Sequence, residues 1–144
     1  MPPVYAAARP MLHPIHAILL AFPVALFTGA LVADIAYLRT AELQWSNFSS
    51  WMIAAALLIG GLVLAWSLVS LILARAYERL RTIAYVLALA IMFAAGLVNA
   101  FQHSRDGWSS VGALGLALSI ISTASAIIAA AIGYSPSALN GSVR

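Results

Sequence analysis

Four long apolar runs, joined by short polar segments, occupy almost all of this 144-residue chain. Each run provides the ~20 residues that a helix needs to cross the hydrocarbon core of a bilayer. Only 8% of the residues are charged, whereas a soluble domain carries roughly 25%. A soluble domain of this length leaves a large fraction of its surface exposed and cannot bury so many apolar side chains. We therefore predict an all-α integral membrane protein in contact with the lipid bilayer.

The apolar runs predict one domain over residues 1–144. Because the joints are short, consecutive helices should be antiparallel neighbours in an up-down-up-down four-helix bundle. Pro14 suits the first turn of a helix, and Pro23 predicts a kink inside the first span. The polar segment Arg39–Ser49 is interpreted as the first joint. The predicted spans are about 14–38, 50–74, 82–101 and 111–134.

The arginines predict the orientation. The face that carries both termini has five of them against one acid, Glu78, whereas the opposite face has Arg39 and Arg105 against three acids. Because basic loops remain in the cytoplasm, both termini are expected there, in a bacterial inner membrane. The five arginines of the terminal face are Arg9, Arg75, Arg79, Arg81 and Arg144.

Composition also argues against several classes of function. With zero cysteines, the chain forms no disulfide and carries out no thiol catalysis. Since no basic cluster with interleaved aromatic residues occurs in a soluble segment, no nucleic-acid binding is expected. Only four acidic residues are present, so a hydrolytic carboxylate pair is not expected and a non-enzymatic role is favoured.

His13 and His16 form the first candidate site. Their spacing of three places both imidazoles on one helix face, with His13 at the N-cap position. Imidazole can ligate haem b, hydrogen-bond a quinone or bind a metal, but two histidines alone are a weak metal site and no metal is assigned. The alternative is a pair of interfacial histidines that bond to the backbone or to lipid headgroups.

The second candidate site closes the third span. Asn99 and His103 are four residues apart and share a helix face, and Asp34 near the end of the first span is expected to reach His103 or Arg105. The alternatives are a structural clasp at the end of the bundle and a site for partner docking or proton transfer. The candidate residues are Asp34, Asn99, His103, Arg105, Asp106 and Trp108.

The two histidine sites should lie about one bilayer thickness apart, so His16 and His103 cannot ligate one haem within a subunit. The serines of the fourth span have no histidine at a matching depth in this interpretation. Together with Gly112 and Gly115, Ser119 and Ser122 are assigned to close helix packing, with a homodimer seam as the alternative.

At these positions the sequence resembles the bacterial membrane family called domain of unknown function 2231. One signature is HPIHAILLAFPVALFTGALVADIAYL, an HPxH step with Phe22-Pro23 six residues after His16, and the second is NAFQHSRDGWSS followed by GLALS. The tail GYSPSALNGSVR departs from relatives, which often end in a Gly-rich, histidine-bearing segment. The matching positions are His13, Pro14, His16, Phe22, Pro23, Asp34, Asn99, His103, Arg105 and Asp106.

The resemblance implies four membrane helices and no assigned activity. Relatives occur beside or fused to redox modules of the Rieske iron–sulfur and quinoprotein sugar-dehydrogenase types, an analogy rather than a mechanism. The leading hypothesis is a non-enzymatic membrane anchor or subunit that serves a periplasmic redox protein. The alternatives are an electron carrier with haem b or quinone at His13 and His16, and a small transporter that uses Asn99 or Ser122.

Overall fold

Four α-helices account for almost all of the chain that the computed structural model describes, namely residues 11–74, 78–105 and 111–136. Each helix is long and apolar enough to cross a membrane. The helices are α1 (Pro14–Thr40), α2 (Leu43–Leu73), α3 (Arg79–His103) and α4 (Ala113–Tyr134).

The first helix begins at a side-chain cap and ends at a tight turn. His13 is the N-cap, and its Nδ1 accepts a hydrogen bond from the backbone N–H of Ile15 at 3.3 Å. The helix continues through Pro23. At its end Ala41 adopts the left-handed conformation, with φ of 56°, and its N–H donates to the carbonyl oxygen of Tyr37. This is the αL termination that glycine usually provides.

The joint between α1 and α2 is much shorter than the sequence suggested. The segment Arg39–Ser49 was interpreted as a polar joint, but α2 begins at Leu43 and only Ala41 and Glu42 separate the two helices. Ser46 and Ser49 are buried in the bundle instead of lying in a loop. A serine hydroxyl fits inside a helix when it has a partner, so these polar residues do not interrupt α2.

The helices pack as a square. α1 contacts α2 and α4, and α3 contacts the same two helices, so α1 and α3 face each other across a diagonal. Neighbouring helix axes lie ~8–10 Å apart, which places diagonal axes roughly 13 Å apart in a square bundle. Only long side chains can meet across that distance.

The middle of the diagonal is filled by Phe27. Its ring packs on Gly96 of α3, where an added Cβ would lie 2.6 Å from the phenyl Cζ. Leu20, Ile53, Leu89 and Met92 complete a core with almost no exposure. The outer surface is also apolar, because Trp51, Ile72 and Leu80 are 77%, 83% and 80% exposed. Helices that are apolar on all faces are typical of membrane spans.

An arginine from α3 completes the end of α4. The guanidinium of Arg81 donates to the carbonyl oxygens of Ile132, at 2.6 Å, and of Ser135. Carbonyl groups in the last turn of a helix lack backbone partners and attract cations. This contact joins α3 to α4 at the end of the bundle where α1 begins and α4 ends.

Two buried polar clusters as candidate functional sites

The first cluster joins all four helices near the end that carries Arg105. We call it the Asp34 cluster; it contains one or two residues from each helix, and every member is at most 7% exposed. α1 contributes from its last two turns, α3 from its last two turns, and α2 and α4 from their second turns. The members are Asp34, Ser49, Asn99, His103 and Ser119.

Asp34 is the centre of this cluster. Its Oδ1 lies 2.9 Å from Nε2 of His103, and its Oδ2 accepts a hydrogen bond from the hydroxyl of Ser119. The hydroxyl oxygen of Ser49 lies 3.2 Å from the same imidazole nitrogen. A buried carboxyl group is costly unless it is paired and hydrogen-bonded, and here α3 and α4 supply those partners.

The hydrogen-bond geometry defines where protons lie. Nδ1 of His103 is 3.0 Å from the backbone carbonyl oxygen of Asn99, and a carbonyl oxygen only accepts, so Nδ1 carries a hydrogen. The other nitrogen faces a carboxyl oxygen, and two lone pairs do not approach to 2.9 Å. One proton therefore lies between His103 and Asp34, on the imidazole or on the carboxyl group.

Asn99 closes the cluster into a ring. Its side-chain amide donates to the hydroxyl oxygen of Ser119 at 2.7 Å, Ser119 donates to Asp34, and Asp34 pairs with His103, which returns to the backbone of Asn99. The amide oxygen, Oδ1, is buried and has no hydrogen-bond partner within the described part of the chain. Buried polar atoms without a partner are rare.

The second cluster lies at the opposite end of the bundle. We call it the His16 cluster; it contains His16, Trp66, Ser67 and Tyr85. Nε2 of His16 lies 2.8 Å from the Tyr85 hydroxyl and 3.5 Å from that of Ser67, and its ring meets the edge of Trp66 at 5.3 Å. His16, Ser67 and Tyr85 are at most 3% exposed, so these three side chains are internal, whereas Trp66 is 40% exposed.

The two histidines at this end have different surroundings. His13 is exposed and stacks on Trp66 with the ring centroids 6.0 Å apart, while its Nδ1 serves as the helix cap. His16 already uses Nε2 for Tyr85. A haem iron would therefore compete with a native hydrogen bond at His16. Among the described residues, no three His, Cys, Asp or Glu side chains assemble as metal ligands.

Helix geometry explains why polar residues collect at two levels. Three pairs of cluster residues are each 18 positions apart (16 and 34, 49 and 67, 85 and 103), which is five turns of 3.6 residues. Both members of a pair therefore lie on the same helix face, roughly 27 Å apart. In both diagonal contacts, the α3 residue lies 69 positions after its α1 partner. The two helices therefore keep one register across the diagonal.

The structure brings together some of the predicted site residues and not others. Asp34, Asn99 and His103 form one cluster. Asp34 was expected to reach either His103 or Arg105, and the structure pairs it with His103. Arg105 is exposed, and its guanidinium lies 3.4 Å from the amide oxygen of Gln102. Asp106 and Trp108 lie outside the described residues.

The sequence interpretation gives no polar role to four hydroxyl-bearing residues of the two clusters. The serines of the fourth span were thought to have no histidine at their depth, but Ser119 lies at the level of His103 and bonds to its partner Asp34. Ser49, Ser67 and Tyr85 were not singled out. The 18-residue spacing could have found three of these residues. It pairs Ser49 with Ser67 on α2, and Tyr85 with His103 on α3.

The segment that contains both clusters matches a known protein family. The defining sequence pattern of a family described as predicted membrane protein, domain of unknown function 2231, matches residues 12–139. The chain belongs to this family. The match covers all four helices and both clusters of this family member. No curated protein and no solved structure matches this chain significantly.

Proposed function

We propose that this member of the family is a non-enzymatic membrane subunit that anchors a redox protein at the Arg105 end of the bundle. The supporting observation is that the Asp34 cluster draws all four helices together directly beneath an exposed arginine. The clustered side chains point inward, so they do not form a docking surface themselves. Their role is to make the end of the bundle a rigid platform.

The exposed charge on this platform is the recognition element. Arg105 follows α3 by two residues, and within the described residues its side chain makes one weak hydrogen bond, to Gln102 at 3.4 Å. A guanidinium group recognises carboxylates through paired, charge-assisted hydrogen bonds. We therefore expect an acidic patch on the partner. The redox character of the partner follows from the family resemblance alone.

The platform faces the periplasm in this proposal. The support is the excess of arginines at the opposite end, including Arg79 and Arg81 at the start of α3, which should remain cytoplasmic. Because the chain has no cysteine, a single Ser104→Cys substitution creates a unique label. We expect a membrane-impermeant maleimide to react with it in intact spheroplasts. Protection until the cells are lysed would reverse the orientation.

Site-specific crosslinking tests the docking. A photoreactive amino acid at position 104 should trap a partner that carries a redox cofactor, and Arg105→Ala should reduce the trapped yield several-fold. Arg79→Ala, which removes an exposed arginine at the opposite end, is the matched control and should leave the yield unchanged. Equal yields from both variants, or a trapped protein without a redox centre, would contradict the proposal.

The buried imidazole of His16 favours a second candidate function, that of a carrier with quinone or haem b. Quinone fits this site better than haem, because a quinone carbonyl needs only a hydrogen-bond donor, whereas iron needs the nitrogen that Tyr85 occupies. The test is a visible spectrum of the purified protein before and after dithionite, with quinone analysis of its lipid extract. A stoichiometric cofactor that is lost in His16→Ala supports this function, and a cofactor that remains bound moves the site elsewhere.

A further inference from the structure

Among the described residues, the amide oxygen of Asn99 is the one buried side-chain polar atom without a hydrogen-bond partner. Asn99 is 0% exposed, and its Oδ1 has no partner in the described chain, although its nitrogen donates to Ser119. Rotating the amide by half a turn would not help. Ser119 would then donate to Asn99 instead of Asp34, and the amide nitrogen would become the unpartnered atom.

The register of the bundle places a small residue opposite this atom. Across the diagonal, long side chains meet at the levels of His16 with Tyr85 and of Asp34 with His103, and the Phe27 ring fills the level of Gly96. The same offset of 69 residues places Ala30 opposite Asn99. A methyl group facing an amide covers much less of the diagonal than an aromatic ring does, and Ala30 is itself fully buried.

We propose that Asn99 Oδ1 binds one water molecule, and that this water exchanges protons with the Asp34–His103 pair. A buried water needs two or more polar partners. The amide oxygen accepts one of its hydrogens, and the oxygens of Asp34 and Ser119, next in the same ring, supply further positions. This proposal concerns the cluster beneath the proposed docking platform, but it requires no partner.

The exchange itself is a simple replacement. A proton leaves the Asp34–His103 hydrogen bond for the water, and a proton from the water takes its place, so that in D2O the pair acquires deuterium and the water becomes HDO. A buried N–H group without such a water exchanges only when the structure opens locally. The His16 cluster has a buried imidazole but, within the part of the chain that the structure describes, no buried unpartnered atom of this kind, so it is the internal comparison.

Solid-state NMR of protein in lipid, with 15N-labelled histidine, tests the proposal, because the chain has only three histidines. After transfer to D2O, the His103 N–H signal should decay roughly tenfold faster than that of His16, even though both rings are buried. Asn99→Leu should slow His103 to the rate of His16. Ser119→Ala, which disturbs the same ring but keeps the amide oxygen, should leave the fast exchange in place.

Two results would overturn the proposal. One is His103 exchange no faster than that of His16 in the wild-type protein. The other is fast exchange that persists in Asn99→Leu while the His16 signals show an intact bundle. If Asn99→Leu does not fold, magnetisation transfer from water to the Asn99 side chain in the wild type decides the matter: a cross-peak supports the bound water, and its absence refutes it. These measurements use the bundle alone, so a failure of docking would not affect them.

Discussion

The carboxyl group of Asp34 and the imidazole of His103 meet at 2.9 Å across the diagonal of a four-helix bundle, on helices that are not packing neighbours. The same offset along the chain joins His16 to Tyr85 at the other end. Each contact fixes the spacing and alignment of the parallel helices α1 and α3, while α2 and α4 occupy the other two corners of the square. We therefore expect mutations of these two diagonal contacts to lower the stability of the bundle.

Removing the carboxyl group of Asp34 should be severe, and changing it to an amide should be mild. Asp34→Leu leaves His103 and Ser119 without their partner and should cost about 3 kcal/mol of unfolding free energy. Asp34→Asn can still accept from Ser119 and can donate to a neutral His103, so its cost should be about 1 kcal/mol. Unfolding by SDS in mixed micelles, followed by circular dichroism, measures both. Equal losses in the two variants would mean that the charge matters more than the hydrogen bonds.

The Tyr85 hydroxyl should contribute less than Asp34 but more than an exposed tyrosine hydroxyl. Tyr85→Phe removes the 2.8 Å contact to His16 and should cost about 1–2 kcal/mol, because the imidazole remains buried. Tyr134→Phe is the matched control. It removes a 2.9 Å hydrogen bond to the carbonyl oxygen of Ala17 at an exposed position, and it should change the unfolding midpoint much less. A larger effect at Tyr134 would contradict this ranking.

Two buried glycines should respond differently to an added methyl group. Gly96→Ala places a Cβ 2.6 Å from the buried Phe27 ring and should cost about 1–3 kcal/mol through overpacking. Gly60→Ala places a Cβ 3.0 Å from the terminal methyl of Met92 and at an ordinary contact distance of 3.6 Å from the Cβ of Pro23. Because methionine is flexible and alanine favours helix, this variant should be neutral or stabilising. Thermal melts in detergent distinguish them, and equal destabilisation would show that the Phe27 contact is not special.

The short joint after α1 contains a position where glycine should be better than the native residue. Ala41 has φ of 56°, a conformation that costs a residue with a Cβ roughly 1–2 kcal/mol. Ala41→Gly should therefore raise stability by about 0.5–1 kcal/mol after the greater freedom of glycine in the unfolded chain is counted. Ala74, which caps α2 with φ of −66°, is the control, since Ala74→Gly should bring no gain. A destabilised Ala41→Gly variant would contradict the argument from backbone strain.

Much of the candidate site was predictable because ionisable residues are rare here. With three histidines and four acids in the chain, the neighbours of His103 could be narrowed to very few, and Asp34 was among them. Serines and tyrosines gave no such restriction. They suit helix interiors, loops and interfaces alike, so Ser49 was placed in a joint and Ser119 in a packing face.

The sequence by itself determined that this protein lies in a membrane, how many helices it has, and that His16 and His103 lie at opposite ends of the bundle. Those properties depend on apolar length and on the rise of the helix, which are local. Only the tertiary structure decided which hydroxyl groups join Asp34, His16 and His103. A helix that is apolar on every side has no polar face to define its inward direction, so the rotation of each helix about its axis is set by packing, here by Phe27 against Gly96 and by the two diagonal contacts.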